Sequence, residues 1–275
     1  MKTVKLAYSD LYNAGDLMNV DIVEKVGNCK VARSKTFCAE MTAIGGALVG
    51  LQYSGKLYER VIQHALKLIY SSQPIYIWGS GFLYDFNNRG LYRKNLKVCA
   101  LRGAKTRQKL EKLTGQKYDV PLADAGLLID MLMDQMPEKK YKLGLIPHMW
   151  HQEEPAMARM AQMDGVHLID IKQTPQQVGA EIAACETIAS TSLHGLIFAD
   201  ALHIPNLHIR GEKELRGGNF KFEDYYSSFG LEDKPYALSE HIPTADEIIA
   251  SYRIDADAVE KKKKELVACF PKFDD

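Results

Sequence analysis

Glu186-Thr187-Ile188-Ala189-Ser190-Thr191-Ser192-Leu193-His194-Gly195-Leu196-Ile197-Phe198-Ala199-Asp200-Ala201 runs from an apolar stretch, through a cluster of hydroxyls, into a helical rhythm. Residues 186–189 read as the end of a buried strand. Leu193, Leu196, Ile197, Ala201 and Leu202 recur at helical spacing until Pro205 stops the pattern. The first helical turn therefore carries unpaired backbone N–H groups, Ser/Thr caps, a histidine and a glycine that permits close approach. Such a turn is a ready anion site, because orphan donors and the positive dipole end point the same way. A histidine there can exchange protons beside a bound anion. An ordinary capped helix with a partly buried histidine would leave the same pattern.

Working outward, the second half alternates regularly. A strand at 143–147 leads to His148, a helix at 153–163 closes on Asp164-Gly165, and a strand follows at 166–170. Thr174-Pro175-Gln176-Gln177 opens the next helix with capping-box spacing and a proline in its first turn. A further strand lies at 206–209. This order demands a parallel sheet with helices on both faces. The first half repeats it less regularly. A strand at 4–8 meets Asn13-Ala14-Gly15-Asp16 and a helix to Gly27, and a glycine-interrupted apolar run covers 41–49. Leu57, Val61, Ile62, Ala65, Leu66 and Ile69 describe an amphipathic helix. The strand at 75–78 ends in Gly79-Ser80-Gly81, and that at 96–101 ends in Arg102-Gly103 before a helix at 104–113. The fold expected is α/β: two Rossmann-like doubly wound domains, 1–135 and 136–275, facing across a cleft. The segment 213–229, with Arg216-Gly217-Gly218-Asn219, reads as a polar, aromatic loop beside that cleft, and helices at 244–252 and 255–267 close the chain.

Bulk properties exclude several classes. The 275 residues carry 35 Lys+Arg against 35 Asp+Glu, so overall charge offers nothing to nucleic acid. The run Lys261-Lys262-Lys263-Lys264 reads as a solvated helix face, with weak contact to an anionic membrane as the minor alternative. Five scattered cysteines, with no C-x-x-C, indicate neither a disulfide framework nor a zinc knuckle and suit a reducing cytoplasm. No stretch approaches the roughly 18 apolar residues of a membrane span, and the first residues lack an export signal. Neither a P-loop nor a G-x-G-x-x-G fingerprint is present. Asp255-Ala256-Asp257 stands where a helix cap belongs, and His148 and His151 lack a third metal ligand.

What remains are groups at strand ends: Asn13, Asp16, Ser80, Arg102, Arg107, Asp124, His148, Ser192 and His194. Parallel strands bring their carboxyl ends to one edge, so many of these should meet. Arg102 is either a ligand group or the partner of a carboxylate such as Asp124. Two arginines, a helix N-terminus and one or two histidines suit a small molecule bearing phosphate and carboxylate.

Seven pieces in order complete the reading: Asn13-Ala14-Gly15-Asp16, Ile77-Trp78-Gly79-Ser80-Gly81, Leu101-Arg102-Gly103 with Thr106-Arg107, Ala123-Asp124-Ala125-Gly126, Gly144-Leu145-Ile146-Pro147-His148, Ser190-Thr191-Ser192-Leu193-His194-Gly195, and Phe220-Lys221-Phe222-Glu223-Asp224-Tyr225-Tyr226. Together they resemble the polysaccharide pyruvyl transferase family, with departures beside Asp124 and at Ala104. The resemblance implies a fold like that of GT-B glycosyltransferases. It implies transfer of a pyruvyl unit from phosphoenolpyruvate to two sugar hydroxyls, without a metal or other cofactor. It places His194 and Arg102 at the family's donor-binding and acid/base positions. Asn13, Gly15, Asp16, Ser80, Arg107, His148, Ser192, Leu193 and Gly195 are the expected substrate-binding residues. The acceptor would be a free, polymeric or lipid-linked sugar, with peripheral contact at the inner face of a membrane. Two rival readings stand beside this: a metal-independent glycosyl or sialyl transferase using a nucleotide sugar, and a non-catalytic sugar- or anion-binding relative.

Overall fold

A computed structural model describes residues 1–9, 13–53, 55–70, 72–86, 89–215, 217–238 and 241–273. Five strands build the first sheet: β1 (Thr3–Ala7), β2 (Lys30–Arg33), β3 (Met41–Thr42), β4 (Ile75–Ser80) and β5 (Leu96–Leu101). They lie in the order β2-β1-β3-β4-β5, and every pairing is parallel. The second sheet comprises β6 (Tyr141–Ile146), β7 (Val166–Leu168), β8 (Cys185–Ser190), β9 (Asn206–Arg210) and β10 (Tyr236–Ala237). Its order, β10-β9-β8-β6-β7, is the same topology read from the other edge, again all parallel.

Both sheets therefore turn back on themselves once. In the first, the chain leaves β1 for β2 on one side and returns to β3 on the other; in the second, it does so around β6. At such a switch point the loops after the two central strands diverge and leave a crevice at the carboxyl edge. The two crevices open onto one cavity. Residues after β1 and β3 line one wall, and residues after β6 and β8 line the other. The arrangement of two doubly wound domains about a cleft is the one expected.

Helices α1 (Ala14–Gly27), α2 (Leu57–Tyr70), α3 (Ala104–Thr114), α4 (Pro155–Ala161) and α5 (Pro175–Ala183) fall at the expected places. So do α6 (Leu193–Ala201), α8 (Ala245–Ser251) and α9 (Ala256–Ala268). Thr174 forms the anticipated capping box, and Asp255 caps α9 by accepting from Ala258 N–H at 2.9 Å. The 213–229 loop is corrected in part: residues 220–227 form a helix, α7 (Phe220–Ser227), with Phe222, Asp224, Tyr225 and Tyr226 buried. Arg216, quoted in that loop, lies outside the described residues. The apolar run at 41–49 is a strand only at Met41–Thr42, after which Leu48–Leu51 forms a 3-10 turn.

One apolar core joins the halves. The 3-10 segment Ala125–Leu132 buries Leu127, Leu128 and Ile129 among Ile22 and Trp78 of the first half and Val178, Ile197 and Phe198 of the second. Helix α9 then returns to the first half, where the Trp78 indole N–H donates to Leu266 O at 2.9 Å and its ring meets Phe270 edge-on. This return corrects the reading of the lysine run in part: Lys261 and Lys264 are exposed, as expected, and the two between them are not. Lys262 Nζ donates to Leu122 O at 2.7 Å, and the buried Lys263 Nζ bonds Asp130 Oδ2 at 2.8 Å and Ala201 O at 2.7 Å. These lysines tie carbonyls and a carboxylate between halves rather than facing solvent.

Trp78 holds α9 onto the first sheet, so Trp78→Ala should destabilise the chain by about 3–5 kcal/mol. Chemical denaturation would measure this, and a loss below about 1 kcal/mol would show that α9 docks by other means.

Candidate active site

The cavity between the sheets holds about 460 Å³, within the roughly 300–1,000 Å³ of small-molecule sites. Asn13 and Asp16 line it from the start of α1, and Ser192, Leu193 and His194 from the start of α6. Arg102, His148, Trp150 and Lys221 complete the polar and aromatic wall.

Its depth is set by glycines. A Cβ on Gly15 would stand 2.0 Å from His194 Nδ1, so the histidine ring lies directly on the first turn of α1. A Cβ on Gly81 would stand 2.6 Å from the Arg102 guanidinium carbon, and one on Gly103 would strike Asp224 O at 1.7 Å. Gly195 leaves room for Ser190 and Ile146 behind α6. Gly15 and Gly195 thus act by the space they leave, and neither lines the cavity.

Arg102 is almost wholly buried. Its Nε donates to Asp224 Oδ2 at 2.8 Å and its Nη2 to Phe82 O at 2.5 Å, which leaves Nη1 for the cavity. Asp224 also accepts from Thr106 N–H and from the Thr106 hydroxyl, each at 2.7 Å. The arginine's carboxylate partner is therefore Asp224, not Asp124. Asp124 instead caps the 3-10 segment through Gly126 N–H at 2.8 Å, and burial pushes its pKa up to about 6.

The hydroxyl cluster does not cap α6 in the way expected. Ser192 occupies the N-cap position without a side-chain hydrogen bond. Thr191 Oγ1 accepts from His148 N–H at 2.7 Å, and Ser190 Oγ accepts from Ser192 N–H at 2.9 Å while donating to Ile146 O. These hydroxyls hold the His148 loop against the end of β8. Asn13, in contrast, caps α1 by accepting from Asp16 N–H at 2.9 Å, and its amide donates to the Asp16 carboxylate.

Two expected residues stand elsewhere. Ser80 is buried and donates to Gly45 O at 3.1 Å, bracing the loop after β3. Arg107 lies one turn into α3, outside the cavity wall, where its charge helps lower the pKa of Glu111.

The sequence alone does not single out Lys221 as a site residue. It opens α7 within a stretch that reads as loop, so nothing in its neighbourhood separated it from solvent lysines. Its spacing of three from Asp224 is the only signal, since a helix places both on one face. Its ammonium makes no hydrogen bond to a described residue and lies 5.1 Å from the centre of the Phe222 ring. Burial and the Arg102 charge lower its pKa to about 8, with Asp16 acting in the opposite direction. Lys221 still carries its proton at neutral pH.

His194 and His148 feel the same surroundings. Burial, then the charges of Lys221, Arg102 and His148, push the His194 pKa down to about 3. Burial, Lys221 and His151 do the same to His148. His194 Nε2 is buried with no hydrogen-bond partner among the described residues. The site thus presents two cations, the Asp16 carboxylate and two neutral imidazoles, one with an unsatisfied nitrogen. An anion seated among them would offset the repulsion and raise the proton affinity of both histidines.

Comparison with known proteins follows the same lines. A family model described as polysaccharide pyruvyl transferase matches residues 24–212. Uncharacterized protein L143 of Acanthamoeba polyphaga mimivirus is 30% identical over 276 residues, covering 93% of this chain and 86% of that protein. Succinoglycan biosynthesis protein ExoV of Rhizobium meliloti (strain 1021) is 25% identical over 158 residues, 57% of this chain and 48% of ExoV, about half its length. Among solved structures, Spinosyn Rhamnosyltransferase SpnG aligns over 96% of both chains at 10% identity with a TM-score of 0.41.

A histidine whose folded pKa lies near 3, below its ordinary 6.5, favours folding while neutral. That contribution is complete above about pH 6.5 and is lost as pH falls toward 3. Asp124 and Asp200, both pushed up to about 6, act with the opposite sign, so the comparison of variant with wild type is the readout. His194→Gln should lose stability less steeply than wild type below pH 6.5 in denaturation curves across pH. Parallel curves would mean that His194 is freely solvated.

Proposed function

The chain belongs to the polysaccharide pyruvyl transferase family, and from that premise we propose that it moves the three-carbon unit of phosphoenolpyruvate onto two hydroxyls of a sugar. The products are a pyruvate ketal and free phosphate, and the sugar belongs to an exopolysaccharide, a capsule or a precursor of one, modified in the cytoplasm. The observation that carries this reading is the partnerless Nε2 of His194 among Arg102, Lys221 and His148 in one cavity.

Phosphoenolpyruvate carries two anionic groups at opposite ends of a short rigid carbon unit. Arg102 Nη1, Lys221 and the N–H groups opening α6 are donors suited to a phosphate and a carboxylate held side by side. Burial and then the neighbouring cations keep His194 neutral; with the donor's anionic groups beside it that penalty is offset and the imidazole takes a proton. His194 gives that proton to the methylene carbon, and C2 becomes electrophilic. The oxygen of one sugar hydroxyl adds to C2. The bond from C2 to the phosphate oxygen then breaks, and phosphate leaves with the electron pair. The second hydroxyl adds to C2 and closes the ketal. Of the two hydroxyl protons, one returns to the imidazole and the other leaves with phosphate, so the cycle balances without a metal or another cofactor. Arg102 and Lys221 stabilise the charge that shifts toward phosphate as that bond breaks. In this reading His148 is the base for the incoming hydroxyl, and Trp150, which lines the cavity and is 47% exposed, offers a ring for the sugar face.

Phosphate release from phosphoenolpyruvate, measured across a panel of glycosides, tests the reading. Acceptor-dependent release should fall by about 10²–10⁴-fold in His194→Gln. In Lys221→Met the KM for phosphoenolpyruvate should rise by roughly tenfold or more, as expected for loss of one charge-assisted contact. Release that persists in His194→Gln would remove the histidine from the chemistry. A thermal shift from a nucleoside diphosphate, with none from phosphoenolpyruvate, would overturn the donor.

A further inference from the structure

Helix α2 is built inside out. At about 100° per residue, Leu57, Tyr58, Val61, Ile62, Leu68 and Ile69 share an arc of roughly 140°. All six are between 54% and 84% exposed. The half-buried residues lie on the opposite side and include Arg60, Gln63 and Lys67. No residue of the helix is buried. A surface helix of a globular protein ordinarily turns its apolar stripe inward, and a contiguous exposed patch of this kind marks an interaction site.

Charge selects the occupant. The chain as a whole is balanced, yet residues 55–97, with the buried Arg93 left aside, hold six Lys/Arg and only two Asp/Glu. Lys56 and Arg89 stand at the start of α2, where Gly55 lies against the Arg89 guanidinium. The exposed Lys94 stands toward its end, where Asn95 Nδ2 donates to Ser72 O at 2.7 Å. Pairing two copies through this face would bring two basic segments together. An anionic surface removes that repulsion while covering the leucines and isoleucines.

We propose that α2 docks this protein onto an anionic phospholipid bilayer, its apolar arc entering the headgroup boundary and the flanking basic side chains reaching the lipid phosphates. A helix lying in the interface plane needs this combination of an apolar arc and a basic border. No helix among the described residues is long and apolar enough to cross a membrane, so the contact is peripheral. The helix is also tied to the cavity's rim. Gln63 Nε2 donates to Gln52 O, His64 stacks on Tyr53 at 4.8 Å, and the segment just before them, 44–50, contributes to the cavity wall. Docking would therefore set the cavity beside the membrane, where a lipid-borne acceptor would stand. The docking itself does not depend on the identity of the donor.

The test is co-sedimentation of the full chain with sucrose-loaded vesicles, either phosphatidylcholine alone or an equal mixture with phosphatidylglycerol. Wild type should pellet with the anionic vesicles, and less so as added salt shortens the screening length. The double variant Val61→Glu with Leu68→Glu should lose roughly tenfold or more of that binding. Its thermal melt should match wild type, because both side chains are exposed. Wild type remaining in the supernatant with both vesicles would overturn the proposal, as would equal binding by the double variant. So would a melt lowered in the variant, which would place the face inside the protein. A dimer seen by light scattering, dissolved in the variant, without vesicle binding, would assign the face to a second copy instead.

Discussion

The carboxylate of Asp224 governs the site. One oxygen takes Arg102 Nε and the Thr106 hydroxyl, and the other takes Thr106 N–H. Arg102 and Asp224 are 122 residues apart and both almost fully buried. A buried pair of this kind adds little net stability, because desolvation offsets attraction, but breaking it leaves an uncompensated charge. What it provides is position. The arginine cannot swing away from the cavity without abandoning a carboxylate that water does not reach. Gly103 lets the backbone of α7 approach closely enough for the clamp to form. The same helix carries Lys221 one turn before Asp224, so a single contact between α3 and α7 places both cations.

Around this clamp the two halves behave as one body. The 3-10 segment Ala125–Leu132 sits in a core that draws on both sheets, and α9 returns across the junction. Asp200, within α6, accepts hydrogen bonds from Tyr225, Tyr252 and Asn206, joining the helix that carries His194 to α7, β9 and the segment before α9. Burial raises the Asp200 pKa to about 6, while those three donors pull it back toward the charged form. The walls of the cleft are thus cross-braced from behind, on the side away from the cavity.

Within the cleft, burial and like charge act together. Each withholds the proton from His194 and His148, while Lys221 keeps its own at neutral pH. Such a site would bind an anion by relieving repulsion already present, with the greatest relief at the histidine whose nitrogen lacks a partner. In the proposed reaction, proton transfer would thereby be tied to donor occupancy. That coupling would limit acid chemistry on water or on an unbound sugar.

Strand positions were legible because parallel strands buried on both faces leave apolar runs, and because their ends are punctuated by glycine. The stretch from Ser190 to Ala201 marked where a helix N-terminus would lie, and Arg102 announced itself by following a strand. Edge elements were not legible: β2 is short, polar and half-exposed, and β3 pairs through two residues only. Helix α7 was missed because its residues are mostly aromatic and charged, with little helical preference; the helix forms because Phe222 and Tyr225 are buried. Lys221 and the partner of Arg102 were missed with it. Arg107 falls outside the cavity wall because helical phase, not proximity in sequence, decides which side of α3 faces the cleft. Local chemistry by itself determined the strands, the caps, and the residues that end at the sheets' carboxyl edges, since these follow from backbone hydrogen bonding and apolar periodicity. Which charges meet, which histidines lose their protons and which helix turns its apolar side outward were decided only by tertiary structure, because desolvation and Coulomb interaction depend on neighbours more than a hundred residues away.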